Sequence, residues 1–299
     1  MNLHEPNTIK VRLHKVNFDR ALAPVKVLVT GDWHVSPIVS ERQRDFLKQA
    51  IENTSPDVII LQGDLVDSPI ELKRDTSLKK LYSNLRLCAK AAPTVMVLGS
   101  HDYITPTKPP KVMKEFSLLH WEKLCEKTGI KLLLDEWYET DKIRIFGSFQ
   151  DVPCVIANKK KWHENPGVFL EQVKNYDYSR IEPSKVNWFA AHSPYLTKAS
   201  MEYLRQFDIM SFGHTHGGIV PKGLDELMEK LHLHFGIVSP NMAPFPRHTR
   251  TAFRVGKSTL ALVNPGMVGA QFCAPKITQA MNFIKAAEVS VVEVNGNEE

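Results

Sequence analysis

Residues 25–34 read VKVLVTGDWH, a run of apolar and β-branched residues broken only by Lys26 and closed by Gly31, Asp32, Trp33 and His34. Such a run predicts a short buried strand, and the glycine after it marks the turn that ends it. The pattern recurs along the chain. VIILQ at 58–62 is followed by Gly63, Asp64, Leu65, Val66 and Asp67, and TVMVL at 94–98 by Gly99, Ser100, His101 and Asp102. VNWFAA at 186–191 is followed by His192, Ser193 and Pro194, and DIMSF at 208–212 by Gly213, His214, Thr215, His216, Gly217 and Gly218. Between these runs, 41–53, 72–90, 166–174 and 197–207 carry helical periodicity, so βαβ units and a largely parallel central sheet are expected. Open α/β sheets bind ligands outside the carboxyl ends of their strands. The five loops should therefore converge on one place that gathers Asp32, Asp64, His34, His101, His192, His214 and His216.

Taken singly, a Gly-Asp after a strand is a turn with a helix cap, and a lone histidine is a hydrogen-bonded structural residue. Packing does not explain five separate strand ends that all finish in carboxylates or imidazoles. His232 and His234 repeat the His-x-His spacing of His214 and His216, but no strand-then-glycine context precedes them, so they read as structural. The second half carries further strand patterns at 143–149, 233–238, 251–255, 259–264 and 288–294, which suggest a second, more antiparallel sheet. Pro106, Pro109 and Pro110 mark a loop, and the stretch to Lys127 reads as a helix with Phe116, Leu119, Trp121 and Leu124 as its apolar members. One domain over 1–299, with an inserted loop-helix segment at about 103–128, is the simplest organisation.

The chain has 299 residues, of which 43% are hydrophobic and 24% charged, an ordinary globular composition that excludes disordered and disulfide-scaffold classes. Cys88, Cys125, Cys154 and Cys273 form no CxxC pair and read as buried small hydrophobes in a reducing compartment. The stretch MNLHEPNTIKVRLHKVN lacks the apolar core of a secretion signal, and no apolar run approaches the ~18 residues of a membrane span. A cytoplasmic, soluble protein is expected. A net charge of +5 suits a phosphate-bearing substrate and is too small to imply nucleic acid.

The ordered set GDWH, GDLVD, GSHD, AHSP and GHTHGG resembles the five motifs of the calcineurin-like metallophosphoesterases. With Pro221 after the last of them and an NPG segment at 264–266, it is more similar to the bacterial phosphohydrolase branch than to the Ser/Thr protein phosphatases. Those carry GDxHG, GDxxDRG and GNHE, where this chain has Val35 for the Gly, Ser68 and Pro69 for the Arg and Gly, and Asp102 for the Glu. The resemblance implies a four-layer αββα sandwich of two mixed β-sheets flanked by helices. It further implies two divalent metal ions, one held by Asp32, His34 and His216, the other by His192 and His214, with Asp64 bridging. The family's seventh ligand, an Asn carbonyl, is Ser100 here, and a hydroxyl is the poorer ligand. Imidazole and carboxylate ligands suit Mn, Fe, Zn, Co or Ni. Two such ions about 3.5–4 Å apart can share a water or hydroxide that attacks phosphorus. The same resemblance implies that His101 is catalytic, protonating the leaving oxygen or stabilising the developing charge, with Asp102 beside it placed to orient the ring.

Asp67 reads as a helix cap or as a partner that supports a ligand, and Asp151 as a turn residue, structural roles for both. Lys159, Lys160, Lys161, Trp162 and His163 form a basic-aromatic cluster that reads as a solvated loop, with a substrate rim as the sharper alternative. The segment after GSHD reads as core, since apolar helix members are more often core, with a roof over the site through Trp121 or Phe116 as the alternative. Gly256, Lys257, Ser258 and Thr259 resemble the end of a phosphate-binding P-loop, but Thr251 stands where that motif needs glycine, so a hairpin turn is expected. The function expected is a metal-dependent hydrolase of a phosphodiester, pyrophosphate or phosphomonoester, on a small-molecule or lipid-linked substrate. The alternatives are a nuclease acting on DNA or RNA, which is not favoured, and a non-catalytic binding scaffold, which would have lost more than the one ligand at Ser100.

Overall fold

Val25, Val27 and Val29 point to one side of their strand and Leu28 to the other, and all four are buried. A strand apolar on both faces must lie between two layers, and two sheets in this chain meet that condition. The structure, a computed structural model, describes residues 9–37, 42–107, 109–155, 165–194, 196–216, 252–256, 258–267 and 287–297. The strand expected at 233–238, the cluster at 159–163, and His232, His234, Gly217, Gly218, Pro221, Thr251, Lys257 and Cys273 lie outside the described residues.

The elements in the first half are β1 (Ile9–Asn17), β2 (Val25–Thr30), α1 (Arg42–Thr54), β3 (Val58–Leu61), α2 (Asp75–Ala91), β4 (Thr94–Met96), β5 (Ile104–Thr105), β6 (Lys111–Val112), α3 (Lys114–Thr128), β7 (Lys131–Leu132), β8 (Glu136–Glu139) and β9 (Ile143–Gly147). They continue with α4 (Val152–Val155), α5 (Pro166–Lys174), β10 (Val186–Ala190), α6 (Lys198–Leu204), β11 (Ile209–Phe212), β12 (Ala252–Val255), β13 (Thr259–Val263) and β14 (Ala287–Asn295). One sheet has the order β1-β14-β2-β3-β4-β7 and the other β12-β13-β11-β10-β9-β8. Val27, Ile60 and Val95 from the first meet Ile145, Trp188, Ile209 and Leu262 from the second in the core between the sheets. Leu28, Ile59 and Met96 face outward onto Leu47, Leu85 and Trp121 of α1, α2 and α3, and Phe189, Met210 and Phe212 face Phe169, Val173 and Leu204 of α5 and α6. The layers run helix, sheet, sheet, helix. No helix of the described residues is long and apolar enough to cross a membrane.

Three features differ from the sequence reading. The five motif-bearing strands do not share one sheet: β2, β3 and β4 belong to the first, β10 and β11 to the second. The strand around 288–294 joins the first sheet between β1 and β2, antiparallel to β2, rather than the second. The second sheet is parallel through β13, β11, β10 and β9, with antiparallel pairs only at its edges, β12 with β13 and β8 with β9. Strands buried on both faces look alike whichever sheet holds them, so local pattern does not assign membership. Of the segment expected as an insertion, only the β5–β6 hairpin stands apart. Helix α3 is the crossover between parallel neighbours β4 and β7, with Trp121 fully buried in the core. The turn expected at 256–258 joins β12 to β13, with Val255 opposite Thr259 and Gly256 at φ +67.

The loop after β1 is clasped to the second sheet. The Arg20 guanidinium donates to Asp208 Oδ1 at 2.8 Å and Oδ2 at 2.6 Å, and the Asn187 backbone N–H donates to the same carboxylate at 2.8 Å. Asp208→Ala removes two of the four hydrogen bonds of the Arg20 guanidinium and leaves that N–H without its acceptor, so urea titration should show a loss of about 1–3 kcal/mol. On β1, His14 keeps its Nε2 buried without a hydrogen-bond partner, and burial, followed by Arg12 and against Glu288, lowers its pKa to about 4. A depressed folded pKa contributes stability that is present above the unfolded value of 6.5 and lost as pH falls toward 4. The wild type should lose on the order of 1–3 kcal/mol across that window through this group, and His14→Gln should flatten that part of its stability–pH curve.

Candidate metal centre

The loops after β2 and β3 run side by side. Asp32 N donates to Gly63 O at 2.9 Å, His34 N to Asp64 O at 3.0 Å, and Val35 N to Leu65 O at 2.9 Å. Asp32, His34 and Asp64 hold φ of 48, 43 and 49, and across the cleft His214 and His216 hold 67 and 46. Non-glycine residues enter this left-handed region at a cost of order 1–3 kcal/mol each and do so mainly at functional sites. Trp33, between the two candidate ligands, turns into the core, where its carbonyl accepts from Gln43 Nε2 at 2.7 Å and its indole donates to Thr30 Oγ1 at 3.1 Å.

Asp102 lies fully buried beneath these loops and does not orient the His101 ring. Its Oδ2 accepts from the backbone N–H of Asp64 and of Gly99, both at 2.8 Å, and its Oδ1 from Leu65 at 2.9 Å and Val66 at 3.3 Å. Burial first, then the Asp64 charge, push its carboxyl up to about 7 against the pull of those donors. The ring partner of His101 is the Asp67 carbonyl, which accepts from Nδ1 at 2.8 Å, while the Asp67 carboxylate lies 3.6 Å from His34 Nδ1. Ser100 is buried in the same short turn as His101. Trp121 donates to the Asp102 carbonyl at 3.2 Å and forms part of the floor rather than a roof. Asp151 pairs with Lys114 at 2.6 Å and caps α4 through the Val152 N–H, outside the cluster.

Two triads of ligand atoms result, Asp32 with His34 and His216, and Asp64 with His192 and His214, the atoms of each within 4.8 Å of one another. A third grouping, His34 with Asp67 and His101, overlaps the first. Asp64 lies between them: its Oδ1 accepts from the His101 N–H at 2.8 Å, and its Oδ2 is 3.0 Å from His192 Nε2 and 3.9 Å from His34 Nε2. The donor set fits divalent cations. His192 donates through Nδ1 to the Gln62 carbonyl at 2.7 Å, which leaves Nε2 as the nitrogen that could coordinate a metal, buried and without a hydrogen bond of normal geometry although Asp64 is near. His34 Nε2 and His216 Nε2 face each other at 3.3 Å. Burial opposes a charge on His192, but Asp64 and then Asp32 draw its pKa up to about 9, and burial raises Asp32 to about 7. The cluster thus gathers positive charge to itself, as protons where no other cation is present.

The glycines of the motifs give these side chains room. A Cβ at Gly99 would lie 2.2 Å from Asp64 Oδ1, one at Gly213 2.6 Å from Asp32 Oδ2, and one at Gly266, itself at φ +80, 2.5 Å from Asp32 Cβ. Gly266 is set by Asn264, whose Oδ1 accepts its N–H at 2.7 Å and whose Nδ2 donates to Val29 O at 2.8 Å. In the sequence the NPG segment marks the branch of the resemblance and gives no sign of this contact, and neither Gln43 nor Gln62 carries a local signal of its role. Gln62 stands directly before GDLVD, and beyond holding His192 it donates from Nε2 to Ser211 Oγ at 2.5 Å across the sheets.

A family model described as calcineurin-like phosphoesterase matches residues 25–218. An uncharacterized metallophosphoesterase of Aquifex aeolicus is 22% identical over 71% of this chain and 72% of its own. A bovine transmembrane protein with metallophosphoesterase domain is 24% identical over 71% of this chain and 44% of its own, so this chain spans less than half of that relative. The crystal structure of a dimetal phosphatase from Danio rerio aligns over 84% of this chain and 89% of its own at 10% identity, with a TM-score of 0.45. Gly266→Ala should abolish tight Mn²⁺ binding while leaving the far-ultraviolet circular dichroism unchanged, as judged by metal content after gel filtration.

Proposed function

The chain belongs to the calcineurin-like phosphoesterase family, and we propose that it hydrolyses a phosphodiester, pyrophosphate or phosphomonoester at the cluster built around Asp64. The observation that carries this reading is a pair of neighbouring triads, one containing Asp64, whose Oδ2 also lies 3.9 Å from His34 Nε2 of the other. Asp32, His34 and His216 would hold one metal ion and His192 and His214 the other, with Asp64 shared and Ser100 as a weaker ligand of the second. When bound, two ions of the Mn, Fe, Zn, Co or Ni class would polarise the phosphoryl oxygens and acidify an attacking water.

The chain's own residues do the rest. Asp67 fixes the His101 ring through its carbonyl, so Nε2 is the atom through which that ring passes a proton to the leaving oxygen. Asp102 acts as a positioning residue, holding the peptide groups on both sides of Asp64 rather than touching substrate. The Gln62 carbonyl fixes the tautomer of His192. A small phosphate-bearing or lipid-linked substrate is favoured over nucleic acid.

The test is hydrolysis of model monoesters, diesters, pyrophosphates and single-stranded DNA by Mn²⁺-reconstituted protein, with Asp64→Asn as the control. Turnover of at least one substrate well above that control is expected, and none at all would overturn the reading. His101→Asn should keep its metal and lose roughly 10²–10⁴-fold in turnover, and wild-type turnover in that variant would remove His101 from the chemistry.

A further inference from the structure

On the outer helix layer, away from the metal cluster, α1 and α2 enclose a groove of about 360 Å³ lined by Arg44, Tyr82, Ser83, Arg86, Leu87 and Lys90. Its α2 wall follows from helical spacing. Tyr82, Arg86 and Lys90 stand four residues apart, as do Ser83 and Leu87, so the five form one stripe opposite Arg44 of α1.

The lining contains three cations and no carboxylate. Elsewhere among the described residues, Arg12, Arg20, Lys114, Arg144 and Lys185 each face a carboxylate at 3.0 Å or less. Among the described residues Arg44, Arg86 and Lys90 have no such partner. Arg86 is held instead over the Tyr82 ring, its Cζ 5.7 Å from the centroid. Such stacking orients a guanidinium while leaving its N–H fork available to an anion. On α2, Lys79, Lys80, Arg86 and Lys90 follow Asp75 with no further acidic residue, while α1 carries Arg42, Arg44 and Lys48 with Asp45 and Glu52.

We propose that this groove is a binding site for a small phosphate-bearing anion, separate from the metal centre. Its volume lies within the range of small-ligand sites, at the lower end. Arg44 and Arg86 supply forks that match phosphate oxygens in pairs, Lys90 adds a point charge, and the hydroxyls of Tyr82 and Ser83 supply neutral donors. Phosphate reaches a carboxylate-rich cluster such as that around Asp64 only through metal ions, whereas this groove takes it without any. Occupancy should therefore survive a chelator, and that separates this proposal from the hydrolase reading.

The test is calorimetric titration of inorganic pyrophosphate into the full chain in excess EDTA. One saturable site is expected, and Arg44→Gln with Arg86→Gln should weaken it at least about tenfold. The charge-matched control Lys123→Gln with Lys127→Gln, on exposed positions of α3, should leave it within about twofold, with circular dichroism confirming that both variants fold. Absence of saturable binding at millimolar pyrophosphate overturns the proposal. So does equal weakening in the two double variants, which would mean diffuse electrostatics. Binding of a single-stranded oligonucleotide without binding of pyrophosphate overturns it in favour of a polyanion surface.

Discussion

One buried carboxylate organises the centre of this molecule. Asp102 gathers the backbone N–H groups of Asp64, Leu65, Val66 and Gly99 and so ties together the ends of two neighbouring parallel strands. A charge-assisted hydrogen bond is roughly twice as strong as a neutral one. Four of them on one side chain offset much of the strain at Asp64, whose φ of 49 would otherwise relax toward an ordinary strand-to-helix turn. With Asp64 held in that conformation, its Oδ1 meets the His101 N–H and its Oδ2 faces His192. The loop after β2 then takes its register from the carbonyls of Gly63, Asp64 and Leu65. Remove the carboxylate from position 102 and the other side chains of the cluster lose their common reference.

Much of this could be read in the amino-acid sequence, for reasons that also mark where reading stopped. β2, β3 and α5 have the bounds that pattern alone predicts, because each is a short apolar or amphipathic run closed by glycine, proline or a capping residue. β1 has a weaker signature: IKVRLHKVN alternates like a half-buried strand, but its cations interrupt the apolar run that marks the other strands. The candidate ligands were visible because each stands at the end of such a run. The residues that position them were not, since their partners are distant in the chain. Gln62 and His192 are 130 residues apart, and Asp102 and Asp64 are 38. Asp102 shows the limit most clearly. Adjacency to His101 suggested a ring contact, whereas the backbone turns the carboxylate downward to the loops.

The distribution of charge runs through the whole architecture. Carboxylates that other folds would leave in water are withdrawn here to the middle, where Asp32, Asp64 and Asp102 are at most 1% exposed. The outer surface mixes both signs: α2 is mainly cationic, while at the rim of the second sheet Arg144 and Lys185 pair with Glu139 and Glu182. The sum of +5 therefore describes neither region. A centre of buried carboxylates and imidazoles and a surface of mixed charge make different demands on ions.

The first sheet has an unusual order of completion. Among the described residues β1 pairs with β14 and with no other strand, and β14 lies between it and β2. As the chain leaves the ribosome, β2 must wait with an unpaired edge until residues 287–295 emerge, and β1 waits with it. Closing a loop of that length costs entropy that grows only slowly with length, but the search it requires is long. β14 acts as a keystone between β1 and β2, and a chain in which it has not yet paired leaves an apolar edge open to pairing between chains.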